Sequence, residues 1–330
     1  MNKIVQFKEF GGPEKLQFTS LEPGKLEAGE VLFKVDAFAL NRADILFLNG
    51  HHYSLPNFPS RIGSEAAGVV EAVGSGVTNF KPGDKVSSIP FHNDAYGTQG
   101  EWAIVPEQYL CSWPDSLSAE EACSVWMQYL TAYYALFEVG KLTENDYVLI
   151  PAASSSAGIG AIQLTEEAGA KAIATTRTQD KAEFLLTAGA SFVVVTEDEN
   201  LAERILEITG GQGVRLVYDP IAGSFTKAYL DALARHAIIF LYGLLGGDAT
   251  EVDIVAMVRK AAVIHPYSMF NHVCEAEQLE KGKDYIFSRL LNGSLRPLVD
   301  RVFDFEQTLD AYRYMETNQQ KGKIVVKTTA

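Results

Sequence analysis

The sequence predicts an α/β protein of two domains, a doubly wound parallel sheet and a β-rich, barrel-like domain. Three observations carry the prediction. The chain has 330 residues, about two domains at roughly 150 residues each. Its first 120 residues hold short alternating apolar runs broken by glycine and proline, as antiparallel barrels do. From about residue 146, continuous apolar strands alternate with helical stretches, the rhythm of a parallel sheet covered on both faces.

Taken in order, residues 30–35, 67–73 and 85–89 read as strands. Gly11-Gly12-Pro13, Gly74-Ser75-Gly76 and Lys81-Pro82-Gly83-Asp84 read as the turns between them. Ser118-Ala119-Glu120-Glu121 reads as a helix start, with serine as cap and carboxylates at the positive end of the helix dipole. A helical run continues through residues 130–139. Residues 146–151 read as a strand with a continuous apolar run, followed by a strand at 171–176 and a helix near 181–188. Further strands fall at 191–196, 214–219 and 236–242. After about residue 265 come a helix at 277–291, a strand at 298–305, a helix at 305–312 and a strand-like run at 322–326. By composition this tail suits either domain.

Charge and cysteine usage narrow the function classes. Lys+Arg total 28 and Asp+Glu 42, a net charge of −14. Such a balance argues against a broad nucleic-acid-binding face but is compatible with a local basic pocket for one small anion. Apolar residues at 47% and charged residues at 21% supply a core and argue against disorder. Cys111, Cys123 and Cys274 are too far apart in sequence for a metal knuckle or a redox pair, which fits a reducing compartment. Residues 1–8 lack the apolar core of a signal peptide, and no apolar run approaches the roughly 20 residues that span a bilayer. The expectation is a soluble cytoplasmic protein acting on a small molecule, with neither nucleic acid nor membrane as partner.

The central motif is Pro151-Ala152-Ala153-Ser154-Ser155-Ser156-Ala157-Gly158-Ile159-Gly160. It follows a strand and opens a helix. A dinucleotide pyrophosphate needs such a turn of small residues, so that backbone N–H groups can approach it. Against the G-x-G-x-x-G pattern the three glycine positions hold Ala153, Ser155 and Gly158, so only the third is glycine. Ser155, Ser156, Ala157 and Gly158 are the candidate cofactor residues; the plainer alternative is a turn that only packs helix on strand. The next strand ends in Thr175-Thr176-Arg177. At this place an NAD enzyme carries an acid for the ribose 2′-hydroxyl. Arg177 with Thr176 suits a 2′-phosphate instead, because guanidinium pairs with phosphate oxygens. This favours NADP (NADPH) as cofactor. The alternative is a solvated arginine, with Thr178 capping the next helix.

Several further segments carry a resemblance. They include Leu40-Asn41-Arg42-Ala43-Asp44, Gly63-Ser64-Glu65-Ala66-Ala67-Gly68, Phe80-Lys81-Pro82-Gly83-Asp84-Lys85-Val86, Leu130-Thr131-Ala132-Tyr133 and Gly322-Lys323-Ile324-Val325. As an ordered set they resemble the medium-chain dehydrogenase/reductase superfamily, in its zinc-free quinone oxidoreductase branch. The resemblance implies a discontinuous GroES-like catalytic domain, residues 1–122 and 266–330, around a Rossmann domain at 123–265, with the active site in the cleft. Zinc-dependent relatives place a Cys and a Gly-His-Glu in the first domain. Here the Cys position holds Asn41 and the His position Ser64, leaving Glu65. The four-cysteine lobe near residues 90–115 is reduced to Cys111. Amide and hydroxyl are poor zinc ligands, and the six histidines show no H-x-x-x-H spacing, so no metal site is expected.

The resemblance points to Asn41 and Tyr53 as polar groups beside the nicotinamide, with Asp44 close by. It places Thr131 and Phe270 around the cofactor, while Gly243 and Leu244 follow a late strand, where the switch-point rule of doubly wound sheets puts ligand; the plainer alternative there is a turn. The family's Gly-Gly before the late strand reads Arg235-His236 here, a departure. The resulting expectation is an NADPH-dependent, zinc-independent reductase of quinones or α,β-unsaturated carbonyls, dimeric by family habit. Two alternatives stand beside it. One is a zinc-dependent alcohol dehydrogenase. The other is a non-catalytic NADPH-binding structural protein of the zeta-crystallin kind.

Overall fold

The structure is a computed structural model that describes residues 2–52, 54–91, 96–247 and 249–328. Its chain divides into two compact units. One joins Met1–Met127 to Val273–Ala330, and the other is Gln128–His272.

The first stretch of the discontinuous unit runs through β1 (Lys3–Phe7), β2 (Gln17–Ser20), β3 (Glu30–Ala39), α1 (Arg42–Leu48), β4 (Ser60–Arg61), β5 (Glu65–Val73), β6 (Lys85–Ser88), β7 (Trp102–Pro106) and β8 (Leu110–Cys111). A capped turn of helix, α2 (Ala119–Ala122), and the start of α3 (Trp126–Tyr133) follow. Ser118 caps α2 as the sequence predicts, its Oγ accepting the Glu121 N–H at 3.2 Å while Glu121 accepts the Ser118 N–H at 3.0 Å.

The continuous unit holds β9 (Tyr147–Ile150), α4 (Ser156–Glu167), β10 (Lys171–Thr176), α5 (Ala182–Thr187), β11 (Phe192–Val195), α6 (Leu201–Ile208), β12 (Val214–Asp219), β13 (Leu233–Leu241), α7 (Ile254–Lys260) and β14 (Val263–Pro266). The chain returns through α8 (Phe270–Val273), α9 (Ala276–Leu291), β15 (Val299–Asp304), α10 (Thr308–Glu316) and β16 (Lys323–Lys327).

In the continuous unit all six strands are parallel, in the order β11-β10-β9-β12-β13-β14. The order reverses between β9 and β12, a topological switch point at whose carboxyl ends ligands bind in doubly wound folds. Val148, Leu149 and Ile150 of β9 are fully buried, which explains their unbroken apolar run.

The discontinuous unit carries a three-stranded sheet, β2-β1-β4, and a mixed seven-stranded sheet. The latter runs β15-β16-β3-β5-β6-β8, with β7 also paired to β3. Its core includes Phe7, Phe33, Phe38, Val86, Tyr312 and Val326. Strand β3 therefore lies between β5 from its own half and β16 from the far end of the chain, with Ala39 opposite both Glu65 and Val325.

Three local expectations are corrected. The strand expected from residue 236 begins at Leu233. Arg235-His236 form an irregularity within it: His236 holds a φ of 61°, and the register against β12 shifts between Val214 and Leu216. The expected helical run through 139 changes to a π-helical turn over Tyr134–Val139. The last helix opens with a 3₁₀ turn at Phe305–Gln307 and extends past Tyr312 to Glu316, because Tyr312 and Met315, one turn apart, are both buried. Among the described residues no helix is long and apolar enough to cross a membrane.

Candidate active site

In the continuous unit, the turn after β9 is tight and made of small residues. Ala152 sits at a φ of 48°, the region where a side chain is costly. Ser155 is the N-cap of α4, its Oγ accepting the Gly158 N–H at 3.1 Å. The first-turn N–H groups of Ser156 and Ala157 have no intrahelical partner, as geometry requires. A Cβ on Gly158 would stand 2.5 Å from the Ala153 carbonyl oxygen. The residue is glycine because the turn folds back on itself there. A Cβ on Gly160 would stand 3.0 Å from the Gln128 carbonyl oxygen, so a second small residue lets α3 lie against α4. The donor set and the helix N-terminus fit a pyrophosphate.

The end of β10 lies beside this turn, with the Ala153 N–H donating to the Thr175 carbonyl at 3.2 Å. Thr176 is buried and its hydroxyl donates to the Thr178 carbonyl at 3.2 Å. Arg177 is exposed, and its guanidinium makes no hydrogen bond or ion pair among the described residues. Lys181 reaches back to the turn, its Nζ donating to Ser154 Oγ at 3.1 Å. Sequence reasoning did not single out Lys181 as a cation beside this turn. The signal was there: it lies four residues after Arg177, on the first turns of the following helix. Thr178 bonds Asp180 through its hydroxyl rather than capping through its side chain.

The remaining cofactor-side candidates are also placed. Thr131 donates through Oγ1 to Met269 Sδ at 3.2 Å, and its carbonyl accepts the Tyr267 hydroxyl at 2.8 Å. Thr131 and the segment leading to Phe270 are thereby held together. Phe270 is half-buried at the start of α8. Gly243 follows β13, where a Cβ would stand 2.6 Å from the Pro220 carbonyl oxygen. The loops after β12 and β13 therefore pack backbone to backbone, and Leu244 beside them is exposed.

In the discontinuous unit the sheet register gathers the polar candidates. Asn41 follows β3, Glu65 begins β5 and Lys323 begins β16, so three adjacent strands deliver them to one edge. All three side chains are buried. Lys323 Nζ donates to Glu65 Oε2 at 2.5 Å and to Asn41 Oδ1 at 2.7 Å. Asn41 Nδ2 donates to Glu65 Oε2 at 3.0 Å, and Glu65 Oε1 accepts the Met127 N–H at 2.7 Å. Asp44 occupies the first turn of α1, and its Oδ2 accepts the Asn41 backbone N–H at 2.8 Å and Gln99 Nε2 at 3.4 Å. Burial pushes the Asp44 carboxyl from the usual 3.8 up to about 7, and Glu65 pushes the same way; the Asn41 N–H and Lys323 oppose the rise. Gln99 also donates to the Tyr312 hydroxyl at 2.7 Å. Tyr53, the second expected polar group, lies outside the described residues. Sequence reasoning missed Lys323, Gln99 and Tyr312. Only Lys323 left a signal, as the sole charged residue between Gly322 and an apolar strand.

A zinc ion does not fit this donor set. Amide and hydroxyl stand where thiolate and imidazole are required, and the carboxylate that remains already carries the Lys323 ammonium. Among the described residues no group of three or more His, Cys, Asp or Glu side chains is placed to hold a metal.

Comparison with known proteins finds matches in both units. A model of the alcohol dehydrogenase GroES-like domain matches residues 27–115, and a model named zinc-binding dehydrogenase matches residues 157–280. A quinone oxidoreductase of Pseudomonas aeruginosa is 30% identical over 328 residues, 99% of either chain. A 2-haloacrylate reductase of a Burkholderia species is 29% identical, covering 96% of each. The crystal structure of an Escherichia coli quinone oxidoreductase complexed with NADPH superposes with a TM-score of 0.90 at 28% identity, covering 99% of this chain and 100% of that one. Fold and site thus define an oxidoreductase of the medium-chain dehydrogenase/reductase class. Within that class the chain belongs to the quinone oxidoreductase family.

Proposed function

We propose that the protein is an NADPH-dependent, zinc-independent reductase that passes hydride to a quinone or to the β-carbon of an α,β-unsaturated carbonyl. The observation that carries the reading is the trio Asn41, Glu65 and Lys323. Zinc lets an alcohol dehydrogenase stabilise an alkoxide near neutral pH, and this trio offers no equivalent. It offers hydrogen-bond donors and a fixed cation, which suit an oxygen on which charge develops.

NADPH supplies the hydride when bound. The Ser155-capped turn holds the pyrophosphate through Ser156, Ala157 and Gly158. Arg177, with Lys181 and Thr176, takes the 2′-phosphate. Thr131, Gly243, Leu244 and Phe270 border the rest of the cofactor. Asn41 and Tyr53 donate to the acceptor's carbonyl oxygen, and Asp44 steadies the backbone of Asn41. As the acceptor carbon takes hydride, its π electron pair moves onto that oxygen, and water supplies the proton. In this reading residues 1–122 and 266–330 are the catalytic domain and residues 123–265 the cofactor domain.

The same proposal includes a cytoplasmic homodimer. Cys111 and Cys123 are free thiols, in keeping with a reducing compartment. Strand β14 is an open edge of the parallel sheet, and Ile254, Val255, Val258 and Val263 around it are exposed. An open strand edge with apolar cover is suited to pairing with a second copy.

The experiment is NADPH oxidation by the purified protein with a panel of quinones and enones, beside NADP⁺ reduction with simple alcohols. Consumption of NADPH with the panel and silence with alcohols is expected. Alcohol oxidation that depends on added zinc would overturn the reading.

A further inference from the structure

We propose that Lys323 and Glu65 are positioning residues that lock the Asn41 amide so that it offers an N–H, and not its carbonyl, to the acceptor's oxygen. The proposal rests on the reductase reading above and adds to it the residues that set the sense of the hydrogen bond.

An asparagine amide has two faces of opposite character, an acceptor oxygen and a donor nitrogen, interchanged by half a turn about one bond. Here each face meets a group of one character only. The Lys323 ammonium has donors and no acceptor, and it lies 2.7 Å from Oδ1. The Glu65 carboxylate has acceptors and no donor, and it lies 3.0 Å from Nδ2. A flipped amide would set its hydrogens against the ammonium and its oxygen against the carboxylate. Two attractions would become two repulsions at a place where water can neither intervene nor screen, since Asn41, Glu65 and Lys323 are all buried.

The lock is itself anchored. Glu65 Oε1 is held by the Met127 N–H, and the two charges bond each other at 2.5 Å. The Asn41 backbone is fixed by Asp44. The pairing also follows from topology: β3 hydrogen-bonds β5 on one side and β16 on the other, and Leu40 N–H reaches the Ile324 carbonyl at 3.0 Å.

An amide nitrogen carries two hydrogens. Glu65 takes one, and the other has no partner among the described residues. The ammonium on Oδ1 draws electron density from the amide, which strengthens that remaining N–H as a donor. A donor of fixed direction gains most when the oxygen facing it becomes negative, so its effect falls on the transition state more than on ground-state binding.

The test compares wild type with the charge-neutral double variant Lys323→Met/Glu65→Gln, which leaves no lone buried charge, and with Lys323→Met. NADPH affinity, acceptor KM and kcat are measured for each. Exchange of the Asn41 Nδ2 protons with solvent is followed by NMR in the apoprotein. The double variant is expected to bind NADPH as wild type does, with acceptor KM little changed and kcat lowered about ten- to hundredfold, less than the loss from deleting an oxyanion donor outright. Its Asn41 amide protons are expected to exchange far faster than those of wild type. A double variant with kcat within about twofold of wild type, or with Asn41 protons equally protected, would overturn the proposal. If wild type itself reduces no quinone or enone, the reductase reading fails, and the amide exchange alone still decides whether Lys323 and Glu65 hold Asn41.

Discussion

The Ser-rich turn after β9 and the buried trio behind Asn41 are two ways of placing a donor. The turn uses backbone: a cap at Ser155, a left-handed residue at Ala152 and a glycine at 158 expose N–H groups that any small side chain would leave in place. The trio uses side chains whose partners stand 258 and 282 residues away in sequence. A local device tolerates substitution, which is why the turn survives with alanine and serine at two positions where glycine is the rule. A device made of buried charges does not, since each member is neutralised only by the others.

Breaking this contrast requires matched variants. The largest effect is expected from Lys323→Met alone, which leaves Glu65 buried without its ammonium. Unfolding in urea should show a loss of about 3–5 kcal/mol, whereas Arg177→Ala on the exposed side should shift stability by only about 0.5 kcal/mol. Arg177→Ala and Lys181→Ala should instead each weaken NADPH by about 1.5–3 kcal/mol, the range for a charge-assisted hydrogen bond. Titration calorimetry should show NADH almost unaffected by either change. Equal losses for both cofactors would remove the 2′-phosphate role. Gly158→Ala puts a Cβ against the Ala153 carbonyl oxygen, and an overpacking cost of about 1–3 kcal/mol should appear in thermal unfolding.

A further effect is one of pH. The Asp44 carboxyl titrates at about 7 in the folded protein against 3.8 when free. Between those values the folded state holds a proton that the unfolded state has released. Stability therefore falls as pH rises from about 4 to about 7, and levels off above. Asp44→Asn should flatten that slope in urea unfolding series measured at successive pH values.

The contrast also explains how much could be read from sequence. Strands Lys171–Thr176 and Val214–Asp219 stand where the apolar runs place them, because strands of a covered parallel sheet need no alternation and end where polarity begins. The strand–turn–helix setting of the Ser-rich turn was legible despite two missing glycines. Arg177 stands out in the sequence at the end of the second strand; Lys181, four residues on, carries only that spacing as a signal, and its bond back to Ser154 is made by the fold. Helix α1 was missed because its seven residues carry too little periodicity. The Asn41–Lys323 bond was illegible for a different reason: no local rule pairs residues that only sheet order makes neighbours. Arg235-His236 breaks the glycine habit of the family, and His236 adopts a positive φ, a conformation glycine takes without strain.

The most direct test of the central claim is NADPH oxidation by a quinone, measured before and after exhaustive chelation and again with zinc restored. A rate unchanged in all three states, falling only when Asn41 loses its amide in Asn41→Ala, is the predicted result. A rate abolished by chelation and recovered with zinc would contradict the account.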